Sequence, residues 1–209
     1  MVRTTLDPLT LQEISRRTLA DYEGRAADFW EGTKDHDVRQ NIQALLEALP
    51  PKERYDILDF GCGPGRDLAA FARLGHRAVG LEGCPAFCKM AREHSGCEVW
   101  QQDFLKLKLP TEGFDGIFAN ASLFHVPSQD LPRVLRELWT SLRPGGVLFS
   151  SNPRGQDEGW QGGRYGTFME FEAYRRYLEA AGFTVLRHYY RPAGKPRHEQ
   201  PWLAVVSRK

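Results

Sequence analysis

Hydrophobic positions along the chain alternate between two periods. Short, mainly apolar runs at residues 55–60, 77–81, 97–101, 114–119 and 147–151 read as strands of a buried sheet. Between them lie segments with helical spacing. The clearest carries Leu131, Val134, Leu135, Leu138 and Leu142 at i, i+3, i+4, i+7 and i+11, one core-facing stripe that Pro144-Gly145-Gly146 is expected to end. Residues 66–74 form a second helix with Gly75 as its stop, and 85–94 a third with Pro85 in its first turn. Ahead of the first strand, Ile42, Leu45, Leu46 and Leu49 mark one more helical stripe, preceded by a polar, aromatic-bearing segment. After the fifth strand, 152–167 reads as a glycine-dense loop too long for an ordinary connection. A helix around Tyr174, Tyr177, Leu178 and Ala181 follows, then strands at 184–190 and 202–207 that can pair antiparallel at a sheet edge. Strands alternating with helices predict an α/β fold with a largely parallel sheet.

Composition narrows the class. With 209 residues, 41% hydrophobic and 26% charged, the chain suits one sizeable globular domain. Lys plus Arg number 28 against 27 Asp plus Glu, and no run of like charge stands out, so nothing calls for a nucleic-acid partner. No apolar stretch reaches the ~18–20 residues that span a bilayer, and the first residues carry no leader-like apolar segment. A cytoplasmic location with no membrane contact is the expectation, as a monomer or homodimer. Cys62, Cys84, Cys88 and Cys97 are too few for a disulfide scaffold and complete no tetrahedral zinc set, so reduced thiols and no metal are expected.

The chemistry gathers at strand ends. Gly61-Cys62-Gly63-Pro64-Gly65 follows the first strand and opens a helix, where backbone N–H groups can approach a ligand closely. It departs from the dinucleotide fingerprint, since Arg66 stands where the third glycine should fall and Asp59 would repel a pyrophosphate. Asp59 suits a cationic amino group instead. Glu82, ending the second strand, can accept from both hydroxyls of a ribose. Asp103 and Phe104 follow the third strand, where a carboxylate can accept from an adenine amine while the ring covers the base. An amino acid, a ribose and an adenine in series describe S-adenosylmethionine.

Five ordered segments carry a family resemblance: Ile57-Leu58-Asp59-Phe60-Gly61-Cys62-Gly63-Pro64-Gly65, Val79-Gly80-Leu81-Glu82, Gln102-Asp103-Phe104, Phe114-Asp115-Gly116-Ile117-Phe118-Ala119 and Leu142-Arg143-Pro144-Gly145-Gly146. Over roughly residues 40–209 the chain resembles the class I S-adenosylmethionine-dependent methyltransferases of small-molecule type. The resemblance implies a Rossmann-like, seven-stranded, mostly parallel sheet of order 3-2-1-4-5-7-6, its last strand antiparallel. It implies one methyltransferase domain over 1–209, with a helical lid at 1–50 and a donor-binding core at 51–209. It further implies Gly61 and Gly63 at the methionine part, Glu82 at the ribose, Asp103 and Phe104 at the adenine, and Asn120 beside the transferring methyl. S-adenosylhomocysteine would be the product. In related enzymes an amino-terminal helix covers donor and acceptor with an aromatic near the methionine part, a role open here to Tyr22 or Trp30.

Acceptor residues are less constrained. His125, beyond the fourth strand, stands where the family builds its acceptor pocket, as base, acceptor contact or loop support. His36 and Asp37 are further candidates, with a solvated polar turn as the alternative. Arg154, Glu158, Trp160, Arg164 and Tyr165 in the long loop supply a guanidinium fork for a carboxylate and a carboxylate for an ammonium. That mixture favours a small amine- or imidazole-bearing or zwitterionic acceptor. Two other readings remain: a protein or nucleic-acid methyltransferase, which the sequence Asn120-Ala121-Ser122-Leu123 disfavours for base amines, and a partner protein that binds the donor without turnover.

Overall fold

The computed structural model describes residues 5–209; the first four, part of the start read above for a leader, lie outside the described residues. Helix α1 (Pro8–Glu23) begins where Asp7 caps it, its carboxylate accepting from the backbone N–H groups of Leu9 and Thr10. α2 (Ala26–Thr33) and α3 (Arg39–Leu46) follow. Next come β1 (Asp56–Phe60), α4 (Arg66–Arg73), β2 (Arg77–Glu82), α5 (Pro85–Ser95), β3 (Glu98–Gln101) and β4 (Phe114–Asn120). A short 3-10 turn at Leu123–His125 leads to α6 (Leu131–Ser141), β5 (Leu142–Pro153), β6 (Glu158–Gln161), β7 (Arg164–Thr167), α7 (Phe171–Ala180), β8 (Thr184–Arg191) and β9 (Trp202–Arg208).

Seven strands form one sheet in the order β3-β2-β1-β4-β5-β9-β8. β3, β2, β1, β4 and β5 run parallel, and β9 is antiparallel to both β5 and β8. Counting only strands of this sheet, the order is the expected 3-2-1-4-5-7-6; β6 and β7 are a separate two-stranded addition. Each sheet face is covered by helices and buries its own cluster. One joins Leu58, Phe60 and Leu81 to the Leu131, Val134, Leu135 and Leu138 stripe of α6, and the other joins Ile57, Phe118 and Phe149 to Leu45, Leu68 and Phe71.

Three details differ from the sequence pattern. Pro144-Gly145-Gly146 does not stop α6, which ends at Ser141; those residues lie inside β5, where Gly145 takes φ +76° and the pairing with β4 shifts register between Phe114 and Gly116. The segment 152–167 is no plain loop, because 158–161 and 164–167 pair as an antiparallel hairpin. Its strands are only four residues long and carry no apolar alternation, so periodicity does not reveal them. The amino-terminal part also divides: Ile42, Ala44 and Leu45 of α3 are buried in the core, leaving α1 and α2 as the helices over the strand ends.

Candidate active site

β1 delivers its chain into the glycine loop at the carboxyl edge of the sheet. Gly61 adopts φ +75°, and a Cβ there would collide with the Cβ of Ser122, whose hydroxyl donates to the Phe60 carbonyl at 2.6 Å. Gly65 adopts φ +95° and would place a Cβ 2.6 Å from the Cα of Ala91 on α5. The loop thus brings its backbone against two neighbouring elements at once, which a side chain would prevent.

Glu82 ties this loop to the end of β2. Its Oε2 accepts from the N–H of Gly63 at 3.0 Å, and its Oε1 accepts from the N–H groups of Gly83 and Cys84 at 2.8 and 2.9 Å. Burial pushes its carboxyl above the usual range, against the three backbone donors that hold it down. Asp103 accepts the N–H of Leu105 on one oxygen and the Ser15 hydroxyl of α1 at 2.7 Å on the other. Phe104 stacks on Phe60 with centroids 4.3 Å apart.

A cleft of roughly 700 Å³, counting its open mouth, runs under α1 and α2 along these groups. Gly61, Gly63, Glu82, Asp103 and Phe104 line it from the sheet side, Ile14, Ser15, Thr18, Leu19, Tyr22 and Phe29 from the helices. Asp59 lies 2% exposed at the end of β1, and its Oδ2 has no hydrogen-bond partner among the described residues. Burial first, then the charge of Asp67, raises its carboxyl well above the usual range. The partnerless Oδ2 of Asp59 beside the glycine cradle suits an ammonium, Glu82 Oε2 keeps room for one further donor such as a ribose hydroxyl, and Asp103 can take an amine. These groups fit the three parts of S-adenosylmethionine.

At the far end His125 and Tyr22 meet. The Nδ1 of His125 lies 2.7 Å from the carbonyl oxygen of Tyr165, which can only accept, so Nδ1 carries the hydrogen. Nε2 therefore accepts from the Tyr22 hydroxyl at 2.7 Å. Burial lowers His125 to about 4, with a further push from Arg164, so the imidazole is neutral at physiological pH. Burial raises the Tyr22 phenol. Arg164 Nη1 donates to the Tyr22 oxygen at 3.2 Å, and its guanidinium carbon lies 5.0 Å from the Tyr22 ring centroid.

The remaining expected residues disperse. Trp30 turns away from the cleft and stacks on His94 at 4.1 Å; its neighbour Phe29 faces inward against Tyr22 and Phe87. Asn120 is absorbed in a polar chain, its Oδ1 accepting from Asn41 and its Nδ2 donating to Asp67, both at 3.0 Å. His36 lies outside the cleft lining, and Asp37 is an exposed partner of Arg39 at 2.7 Å, which holds its carboxyl below the usual range. Arg154 is saturated by Glu170 and the carbonyls of Arg197 and Gln200, away from the cleft. Glu158 accepts from Ser128 and from the Tyr165 hydroxyl, and Trp160 lies under the Arg17 guanidinium at 4.2 Å. Phe29, Phe87, Ser15 and Ser122 escaped the sequence reading. Phe29 alone had a signal, since consecutive residues of a helix point about 100° apart and only one of the pair can cover the loop.

A family model described as a methyltransferase domain matches residues 58–150. A trans-aconitate 2-methyltransferase of Deinococcus radiodurans is 34% identical over 153 residues, 71% of this chain and 55% of that protein. A ubiquinone biosynthesis O-methyltransferase of Xanthomonas campestris is 35% identical over 121 residues, 54% of this chain and 48% of that protein. The chain spans about half the length of the curated relatives it matches. Among solved structures, the fold is similar to a 1,6-didemethyltoxoflavin-N1-methyltransferase of Burkholderia thailandensis with bound S-adenosylhomocysteine, at TM-score 0.77 and 22% identity over 100% of this chain and 93% of that one. No helix among the described residues is long and apolar enough to cross a membrane, and no group of three His, Cys, Asp or Glu side chains among them is placed to hold a metal. With the glycine loop, the two strand-end carboxylates and the sheet order in agreement, the chain belongs to the class I S-adenosylmethionine-dependent methyltransferases.

Proposed function

We propose that this protein transfers a methyl group from S-adenosylmethionine to a small molecule held beneath α1, with its amino-acid end at Asp59 and Gly61, its ribose at Glu82 and its adenine between Asp103 and Phe104. The observation that carries the reading is the single cleft joining Gly61, Gly63, Glu82, Asp103 and Phe104 to Tyr22 and His125. Its covered shape favours a small acceptor over a polymer, in line with relatives named for trans-aconitate and ubiquinone biosynthesis.

Methyl transfer from a sulfonium is an in-line displacement, so holding nucleophile and methyl aligned is the main catalytic demand. Glu82 and Asp103 orient the donor, and Phe29, Tyr22 and Phe87 exclude water from one side of the glycine loop. Of the loop residues behind the expectation of an amine, imidazole or zwitterion, Arg154 and Glu158 are engaged elsewhere.

Titration calorimetry with S-adenosylhomocysteine tests the donor site. Micromolar binding is expected, weakened by about 1 kcal/mol or more in Glu82→Ala; unchanged affinity in that variant would remove the ribose assignment. A mass-spectrometric screen for methylated products, with trans-aconitate, phenols, amines and imidazoles as acceptors, tests the activity.

A further inference from the structure

Arg164 sits on β7 of the added hairpin, at the seam where that hairpin clasps α1. The Tyr165 N–H donates to the Thr18 hydroxyl at 3.0 Å beside it. Its guanidinium meets Tyr22 by one hydrogen bond of 3.2 Å and Asp21 by an ion pair of 3.4 Å between Nε and Oδ2. Asp21 Oδ2 is also 3.2 Å from Arg25 and makes no hydrogen bond of good geometry. Arg154, by contrast, has its guanidinium filled by a carboxylate and two carbonyls. Arg164 therefore keeps donors to spare, about a third of its side chain is accessible, and it stands one hydrogen bond behind a phenol that lines the cleft.

We propose that Arg164 selects the acceptor, pairing through its spare guanidinium N–H groups with a carboxylate whose oxygen takes the methyl group. This rests on the donor reading above. Three physical points favour it. Burying an anion without a counter-charge is costly, and Arg164 is a cation held against Tyr22, which lines the cleft beside His125. An amine would arrive as an ammonium beside that same cation. A phenol, with pKa near 10, needs a base, and His125 at about 4 is some six units too weak to take its proton. A carboxylate needs none. Its oxygen lone pair forms the new bond to the methyl carbon as the carbon–sulfur bond breaks and leaves its electrons on sulfur. The anion and the sulfonium become a neutral methyl ester and a neutral thioether, and no proton is released.

The test uses the full chain, wild type and two variants, Arg164→Gln and Arg164→Lys. Wild type with donor is expected to form methyl esters from members of a set comprising benzoate, octanoate, succinate, fumarate and citrate, and none from benzamide, phenol or benzylamine. Calorimetry should show the same acids binding the protein loaded with S-adenosylhomocysteine. Arg164→Gln should raise KM and Kd for the acid by roughly 10–100-fold with a smaller change in kcat, and Arg164→Lys should fall between, since it keeps the charge without the fork. Binding of S-adenosylhomocysteine should stay within about twofold of wild type in both, which also reports folding. A protein that binds S-adenosylhomocysteine but methylates phenol or benzylamine instead keeps the donor reading and overturns this one. Absence of both ester formation and acid binding across the set overturns it as well, as does an Arg164→Lys protein that binds S-adenosylhomocysteine normally and matches wild type in KM. Failure of wild type to bind S-adenosylhomocysteine removes the donor reading itself.

Discussion

The Tyr22 hydroxyl and the Nε2 of His125 lie 2.7 Å apart, joining the first helix of the chain to the turn after β4. The tautomer follows from the other side of the ring, where the Tyr165 carbonyl must receive the Nδ1 hydrogen. The bond ties α1 to that turn at the end of the cleft, and burial keeps the imidazole neutral.

His125 makes stability depend on pH. The folded chain protonates it at about 4 and the unfolded chain near 6.5, so between these values the unfolded chain binds the extra proton. The contribution is intact above pH 6.5 and is lost as pH falls toward 4, by about 3 kcal/mol in all. Urea unfolding across that window should show a shallower fall for His125→Asn than for wild type; equal slopes would refute the assignment.

Gly61→Ala should destabilise the fold by roughly 1–3 kcal/mol, because the residue must hold φ +75° while its new methyl meets Ser122. Donor affinity should fall with it. Thermal unfolding and calorimetry on the same sample measure both effects.

Two adjacent aromatics should behave oppositely. Phe29→Ala removes a ring of the cluster with Tyr22 and Phe87 over the glycine loop and should weaken S-adenosylhomocysteine binding about tenfold. Trp30→Ala removes only a stack on His94 outside the cleft lining and should leave that affinity within about twofold. Equal losses would place the wrong ring over the loop.

Asn41 is fully buried, with its Nδ2 donating to Asn120 and its Oδ1 accepting from the Tyr189 hydroxyl at 2.9 Å. Asn41→Ala orphans both partners and should cost about 1–3 kcal/mol in chemical denaturation. Tyr189→Phe removes one end of the chain only and should cost less.

Local pattern determined much of this protein. Strand runs, the α6 stripe and the glycine loop are legible because hydrophobic period and the need for positive φ act on neighbours in sequence. Glu82, Asp103 and Phe104 could be placed at the cleft because parallel strands end on one edge of a sheet, whatever the rest of the chain does.

Partners distant in sequence were decided only by the tertiary structure. Nothing in the pattern says that Phe29 rather than Trp30 faces inward, that Asn120 is taken up by Asn41 and Asp67, or that the glycine-dense loop pairs as a hairpin carrying Arg164 to Tyr22. Arg154 and Arg164 look alike as residues of one polar segment, yet one is saturated by Glu170 and the other keeps donors beside the cleft. That difference comes from how α1, the hairpin and the sheet edge meet in space, since a side chain's free hydrogen-bonding capacity depends on what packing leaves beside it.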